Sequence, residues 1–241
     1  MNKKPLVKYV EYSSITYQEA WDIQTAYHNE LKANKLAWRE LSAEEKRDKR
    51  QEHKLIFCEH GHVYTLGKSG SKDHLLLSED GLQREAIEYF KINRGGDITY
   101  HGPGQITGYP ILDMDEFYTD IHKYVRMLEQ CVIDLLATYG VAGDRIPEYT
   151  GVWILSDKDN QPHRKICAIG VHLSRWVTMH GFALNVNTDL SYFDNIVPCG
   201  IVDENKAVTS LAAEVGEQIP LAEVRNRLKA IFAKNFNFDY V

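Results

Sequence analysis

KICAIGVHLSRWVTMHGFALNV, residues 165–186, decides the fold. It holds two apolar, β-branched runs, 165–173 and 176–186, close enough in sequence to pair as an antiparallel hairpin. Strand-like segments continue outward from it: GVWIL at 151–155, and, from Leu55 onward, LIFC, HVYTLG, AIEYFKI and ITGYPILDM, separated by glycine-rich turns. Two helices interrupt or close the run. Over 120–139, Ile121, Val125, Leu128, Val132, Leu135, Leu136 and Tyr139 share a face, Cys131 borders it, and Gly140 suits the stop. After Pro220, Leu221, Val224, Leu228, Ile231 and Phe232 do the same. Strands in runs with helices set apart predict an α+β, sandwich-like class, with a mixed, largely antiparallel sheet flanked by helices.

Residues 16–55 read as helical and polar, with a loose stripe of Trp21, Ile23, Tyr27 and Leu31 and a capping box formed by Ser42 and Glu45. The charge run EEKRDKRQEHK that follows Ser42 and Ala43 reads as a solvated face. No internal repeat or linker divides the chain, so a single domain over 1–241 is expected, with a charged helical N-terminal region at about 16–54.

With 241 residues, 44% hydrophobic, the chain is long enough to bury a sizeable core. A net charge of −6 gives no reason to expect nucleic acid. MNKKPLVKYVEY lacks an apolar signal-peptide run, and no window approaches the ~20 apolar residues of a membrane span, so a cytoplasmic protein is expected. Cys58, Cys131, Cys167 and Cys199 form no disulfide framework and are judged singly as thiols.

Three stretches carry chemistry. RGGDITYHGPGQ, residues 94–105, sets four glycines and a proline around Asp97, Tyr100 and His101, a turn-rich loop able to approach a ligand closely. In RKICAIGV, residues 164–171, a period of two places Lys165, Cys167, Ile169 and Val171 on one face, an unusual setting for a lysine. In NIVPCGI, residues 195–201, Cys199 stands between a φ-locking proline and a glycine, suited to a rigid loop that presents a thiol.

In this order, with TGVW before the second and HGFALNVNTDLSYFD before the third, these stretches resemble the lipoyl(octanoyl) transferase family over roughly residues 55–210, with EHGHVYTLGKSG as a weaker link. The resemblance implies a fold shared with biotin and lipoate protein ligases, in which a sheet and its glycine-rich loop enclose an acyl tunnel. It implies Cys199 as the acyl-accepting nucleophile and Lys165 as the partner that lowers the thiol's pKa. It also implies substrate-binding segments at Arg94, Gly95, Gly96, Asp97, Ile98, Thr99, Tyr100 and His101, at Ala168, Ile169 and Gly170, and at Gly181, Phe182 and Ala183. The chain departs from the family at Gly61 and His62, where prolines are usual, and at Cys167, where a small residue is usual; Cys167 becomes a rival thiol on the face of Lys165.

The implied donor is octanoyl-acyl carrier protein. The acceptor is a lipoyl domain of a 2-oxo acid dehydrogenase or the glycine-cleavage H protein, and the enzyme is expected to act as a monomer without cofactor or metal. A free thiol near pKa ~8.5 and a lysine near ~10.4 are poorly ionised as nucleophiles at neutral pH. Lys165 is expected to stabilise the Cys199 thiolate and to take the incoming lysine's proton, while backbone N–H groups of Gly95, Gly96 or Gly200 are candidates for the oxyanion. His101 is expected to line the pocket. Arg94, Lys68, Lys72, Arg164 and Arg175 are candidate docking cations for acidic partners. The rival readings are an ATP-dependent ligase on the same fold, an acyl-binding module without turnover, and a metal-binding protein using Cys58, His60 and His62 on one strand face.

Overall fold

The hairpin forms as the sequence expects. In a computed structural model, which describes residues 4–46, 49–156, 158, 161–197 and 206–241, residues 163–174 and 177–185 pair antiparallel from Val177↔Ser174 to Leu184↔Cys167. Arg175 and Trp176 make the two-residue turn, both at positive φ (52° and 62°), which matches the twist of the strands they join.

The described elements run β1 (Leu6–Tyr12), α1 (Tyr17–Ala37), α2 (Ala43–Lys46), β2 (Glu52–Cys58), β3 (Val63–Leu66), α3 (Glu79–Arg84), β4 (Glu88–Lys91), β5 (Ile98–His101), β6 (Gln105–Ile111) and α4 (Ile121–Ala137). They continue with β7 (Asp144–Ile146), β8 (Tyr149–Ile154), β9 (His163–Ser174), β10 (Val177–Asn185), β11 (Lys206–Val208), α5 (Leu211–Val215), α6 (Leu221–Phe236) and β12 (Asp239–Tyr240). The main sheet has the order β12-β1-β2-β6-β10-β9-β8-β7, with β11 alongside β9, and a small sheet has the order β4-β3-β5. Pairings from β2 to β7 are antiparallel; β1 with β2, β1 with β12, and β11 with β9 are parallel. The class is therefore α+β with a mixed sheet.

α4 and α6 cover one face of the main sheet, where Leu128, Val132, Leu135, Leu136, Leu228 and Phe232 join the principal core. Cys131 is buried there, as expected, and Gly140 at φ +71° ends the helical run in a conformation that penalises a Cβ. At the start of α4, Ile121 is exposed and Tyr124 takes the buried place, correcting the stripe at its first turn.

α1 lies on the opposite face and departs most from expectation. Its buried residues are Tyr17, Ala20, Gln24, His28 and Leu31, while Trp21, Ile23 and Tyr27 only flank them. The polar pair has a backbone cause. His180 sits within β10 at φ +60°, and its N–H is satisfied by Gln24 Oε1 at 3.0 Å; His28 Nε2 lies 3.2 Å from Val177 O. Thr16 and Glu19 cap the helix reciprocally. The expected box of Ser42 and Glu45 also forms, yet it opens only the single turn of α2, and β2 starts at Glu52, so the helical reading to residue 55 is corrected. The 94–105 stretch is likewise only partly loop, since Ile98–His101 is β5, paired with β3.

Candidate active site

Between the two sheets and α1 lies a cavity of about 310 Å³, at the lower end of the volumes typical of small-ligand sites (about 300–1,000 Å³). Its depth is read from the exposure of its walls. They grade from exposed to buried: Glu148 and Thr150 are exposed and Tyr149 is half-buried, whereas Tyr17, Tyr109 and His180 are buried. Ile98, Ala168, Ile169, Phe182 and Ala183 give the cavity an apolar lining.

The glycine-rich loop closes one wall by docking on β9, with Gly95 N–H donating to Val171 O at 2.9 Å. A Cβ on Gly170 would stand 2.8 Å from Gly95 O, so the approach requires glycine there. Gly95 spends its N–H on this contact and is thereby removed from the oxyanion candidates. Of the expected binding residues, Arg94, Gly96, Asp97, Ile98, Thr99, His101, Ala168, Ile169, Gly170, Gly181, Phe182 and Ala183 line the cavity. Gly95 and Tyr100 do not. Alternation along β5 turns Tyr100 into the core of the small sheet, stacked 5.0 Å from Tyr192, and its hydroxyl is hydrogen-bonded to His62 Nδ1 at 2.7 Å.

A buried polar network runs beneath the lining. Arg94 Nη2 donates to Thr65 Oγ1 (3.0 Å), which faces His101 Nε2 at 3.3 Å, while His101 Nδ1 donates to Gln105 Oε1 (2.9 Å). Gln105 Nε2 donates to Asn185 Oδ1 (2.9 Å), and Asn185 Nδ2 to Thr209 O (3.0 Å). Both ring nitrogens of His101 are engaged, and burial, followed by the neighbouring His60, pushes its pKa well below the usual range. It is a neutral wall residue rather than a proton acceptor. Arg94, buried and bonded to Thr65 and Gly95, is no docking cation; Arg164 is held bidentately by Glu214 (2.8 and 2.9 Å). Lys68 and Arg175 are exposed, and Lys72 is exposed beside Glu79.

Lys165 lines the cavity where it meets a groove of about 550 Å³ that shares Tyr149, Lys165, Phe193 and Val208 with it. The Lys165 ammonium lies 4.6 Å from the centre of the Trp153 ring, and that of Lys206 lies 3.8 Å from Tyr149. The expectation that Lys165 shares a face with Cys167 is corrected by a bulge: Val152 pairs with Cys167 but the next residue, Trp153, pairs with Lys165, so Ile166 is the extra residue. Consecutive Ile166 and Cys167 consequently both enter the core, and Lys165 shares the cavity side with Ala168 and Gly170. Burial first of all pushes the Cys167 thiol far above the usual range.

Cys199 and Gly200 lie outside the described residues. Phe193 before them and Val208 after them line the cavity. Cys58, His60 and His62 do not share a strand face, because β2 ends at Cys58; His60 Nε2 accepts from Tyr109 (2.7 Å), and among the described residues no group of three such side chains is arranged for a metal. No helix among them is long and apolar enough to cross a membrane.

Sequence reasoning missed Tyr17, Gln105, Tyr109, His180 and Asn185. Gln105 ends the quoted loop, and Asn185 continues the alternation of Gly181 and Ala183, so period two could have found it. Tyr17 lies within a Thr-x-x-Glu capping box, Thr16 to Glu19, a signal that marks the helix start.

A helix-flanked mixed sheet around such a cavity is the architecture of the lipoate protein ligase class. The bipartite lipoate protein ligase of Thermoplasma acidophilum superposes with a TM-score of 0.66 at 17% identity, over 99% of this chain and 86% of that one. The chain belongs to the lipoyl protein ligase A/B catalytic domain family, whose sequence model matches residues 17–233. Among its relatives, the protein named octanoyltransferase of Cytophaga hutchinsonii is 54% identical, over 94% of this chain and 90% of that protein. That of Christiangramia forsetii, with the same name, is 53% identical over 92% of each.

Proposed function

We propose that the chain is an octanoyltransferase of lipoate assembly, taking octanoyl from acyl carrier protein and delivering it to a lysine of a lipoyl domain through Cys199. The observation that carries the reading is the cavity lined by Ile98, Ala168, Ile169, Phe182 and Ala183, with Lys165 in its wall. The identity to relatives named octanoyltransferase supports it.

The steps balance without an external energy source. The Cys199 thiolate attacks the donor's thioester carbonyl, and the tetrahedral intermediate expels the carrier thiolate, which takes the proton of the Lys165 ammonium and leaves as the thiol, so that octanoyl stays on Cys199 and Lys165 becomes the amine. The acceptor lysine then attacks the new thioester, the Cys199 sulfur leaves, and the ammonium formed at nitrogen passes its proton to the Lys165 amine. An amide replaces a thioester. Lys165 serves twice, as a cation beside the thiolate and as the base for the acceptor. Gly96 N–H remains a candidate donor to the oxyanion.

Transfer from octanoyl-carrier protein to a lipoyl domain is expected to proceed at full rate without ATP. A strict requirement for ATP and free octanoate would replace this reading with the ligase. Lys165→Ala is expected to abolish transfer while retaining the fold.

A further inference from the structure

The wall of the cavity includes a buried side chain that lies outside all three recognised stretches. Tyr17 is the first residue of α1, only 2% exposed, fixed by the Thr16–Glu19 cap and by the bonding of Ile15, two residues before it, whose N–H donates to Glu59 O. Ile15 O in turn accepts from His60 Nδ1 at 2.9 Å. The Tyr17 ring stacks on His101 at 5.8 Å and 15° and meets His60 and Phe90 at 5.3 and 5.2 Å.

The other buried groups of that wall have structural commitments. Tyr109 donates to His60, and His180 is bonded through its ring to Asn93 and through its backbone to Gln24. Tyr17 instead contributes a ring held by packing. Behind it is an apolar cluster made with Val63 and Ile92, with Phe90 packed against it. Removing the ring opens the cavity onto surface suited to further methylenes.

We propose that Tyr17 is the residue that limits acyl length, so that the chain's specificity is set by α1 rather than by the glycine-rich loop. This rests on the octanoyl-transfer reading. A chain that reaches the ring must displace it from contacts with His101, His60 and Phe90. In an apolar pocket each methylene gained or lost changes discrimination by roughly 10-fold or more.

The test compares Tyr17→Ala, Tyr17→Leu and Tyr17→Phe with wild type in transfer of hexanoyl through tetradecanoyl from carrier protein, with thermal unfolding of each. The ratio of kcat/KM for dodecanoyl over octanoyl should rise by about tenfold or more in Tyr17→Ala and should be unchanged in Tyr17→Phe. Should Tyr17→Ala not fold, Tyr17→Leu, which also removes the ring, must raise the ratio. An unchanged ratio in a folded ring-deleted variant overturns the inference. Calorimetric binding of the free fatty acids of the same lengths separates the two readings. If wild type transfers no acyl chain, octanoyl transfer fails, and the length limit is then judged by whether ring deletion moves the binding optimum.

Discussion

The backbone N–H of Thr209 donates to the carbonyl of Lys165 at 2.9 Å, which fixes the strand position of the lysine in the cavity wall. Thr209 is itself held twice: its carbonyl accepts from Asn185 Nδ2 at 3.0 Å, and its hydroxyl donates to Glu214, the partner of Arg164. The strand position of Lys165 is thus anchored through its backbone.

Asn185→Leu should therefore lower kcat more than it alters KM for the carrier-protein donor. It leaves Gln105 Nε2 and Thr209 O short of a partner, at a cost of about 1–3 kcal/mol in stability. Urea unfolding measures the cost. Asn185→Asp, which keeps an acceptor for Gln105, should retain more stability than the leucine variant; equal losses would show that the network is not responsible.

Stability should fall on mild acidification. Burial lowers His60 to about 4 and His180 to about 3, from an ordinary value near 6.5. Between these values the unfolded chain binds protons that the folded chain refuses, so stability is complete above about pH 6.5 and is lost as pH falls toward 4. The limiting slope is about 1.4 kcal/mol per pH unit for each histidine. Urea midpoints between about pH 7 and about pH 5 check this, and a flat profile contradicts neutral, buried rings.

Transfer should weaken as salt rises, because Lys68, Lys72 and Arg175 are exposed and charge attraction is screened beyond about 8 Å at physiological ionic strength. Lys68→Glu and Arg175→Glu should raise KM for the protein substrates and leave thermal stability within about 0.5 kcal/mol. Salt-independent kcat/KM would exclude electrostatic docking.

The hairpin, α4, α6 and most of the cavity wall were legible because each rests on a local period or turn. The bulge at Ile166 was not, since a bulge belongs to a pair of strands and one sequence shows only one side. Cys167 was accordingly assigned to the wrong side. The buried face of α1 was hidden for a related reason: Gln24 reads as a surface residue until the left-handed backbone of His180 creates an amide that needs it. Tyr100 and His101 share one strand yet face different clusters, which the glycine-rich composition around them concealed.

The central claim is that Cys199 carries the acyl group. Intact-mass measurement after mixing with octanoyl-carrier protein, without acceptor, should reveal one octanoyl adduct on wild type and on Cys167→Ala, whose native thiol is buried in the core, and none on Cys199→Ala. An adduct that survives in Cys199→Ala and disappears in Cys167→Ala would contradict the account.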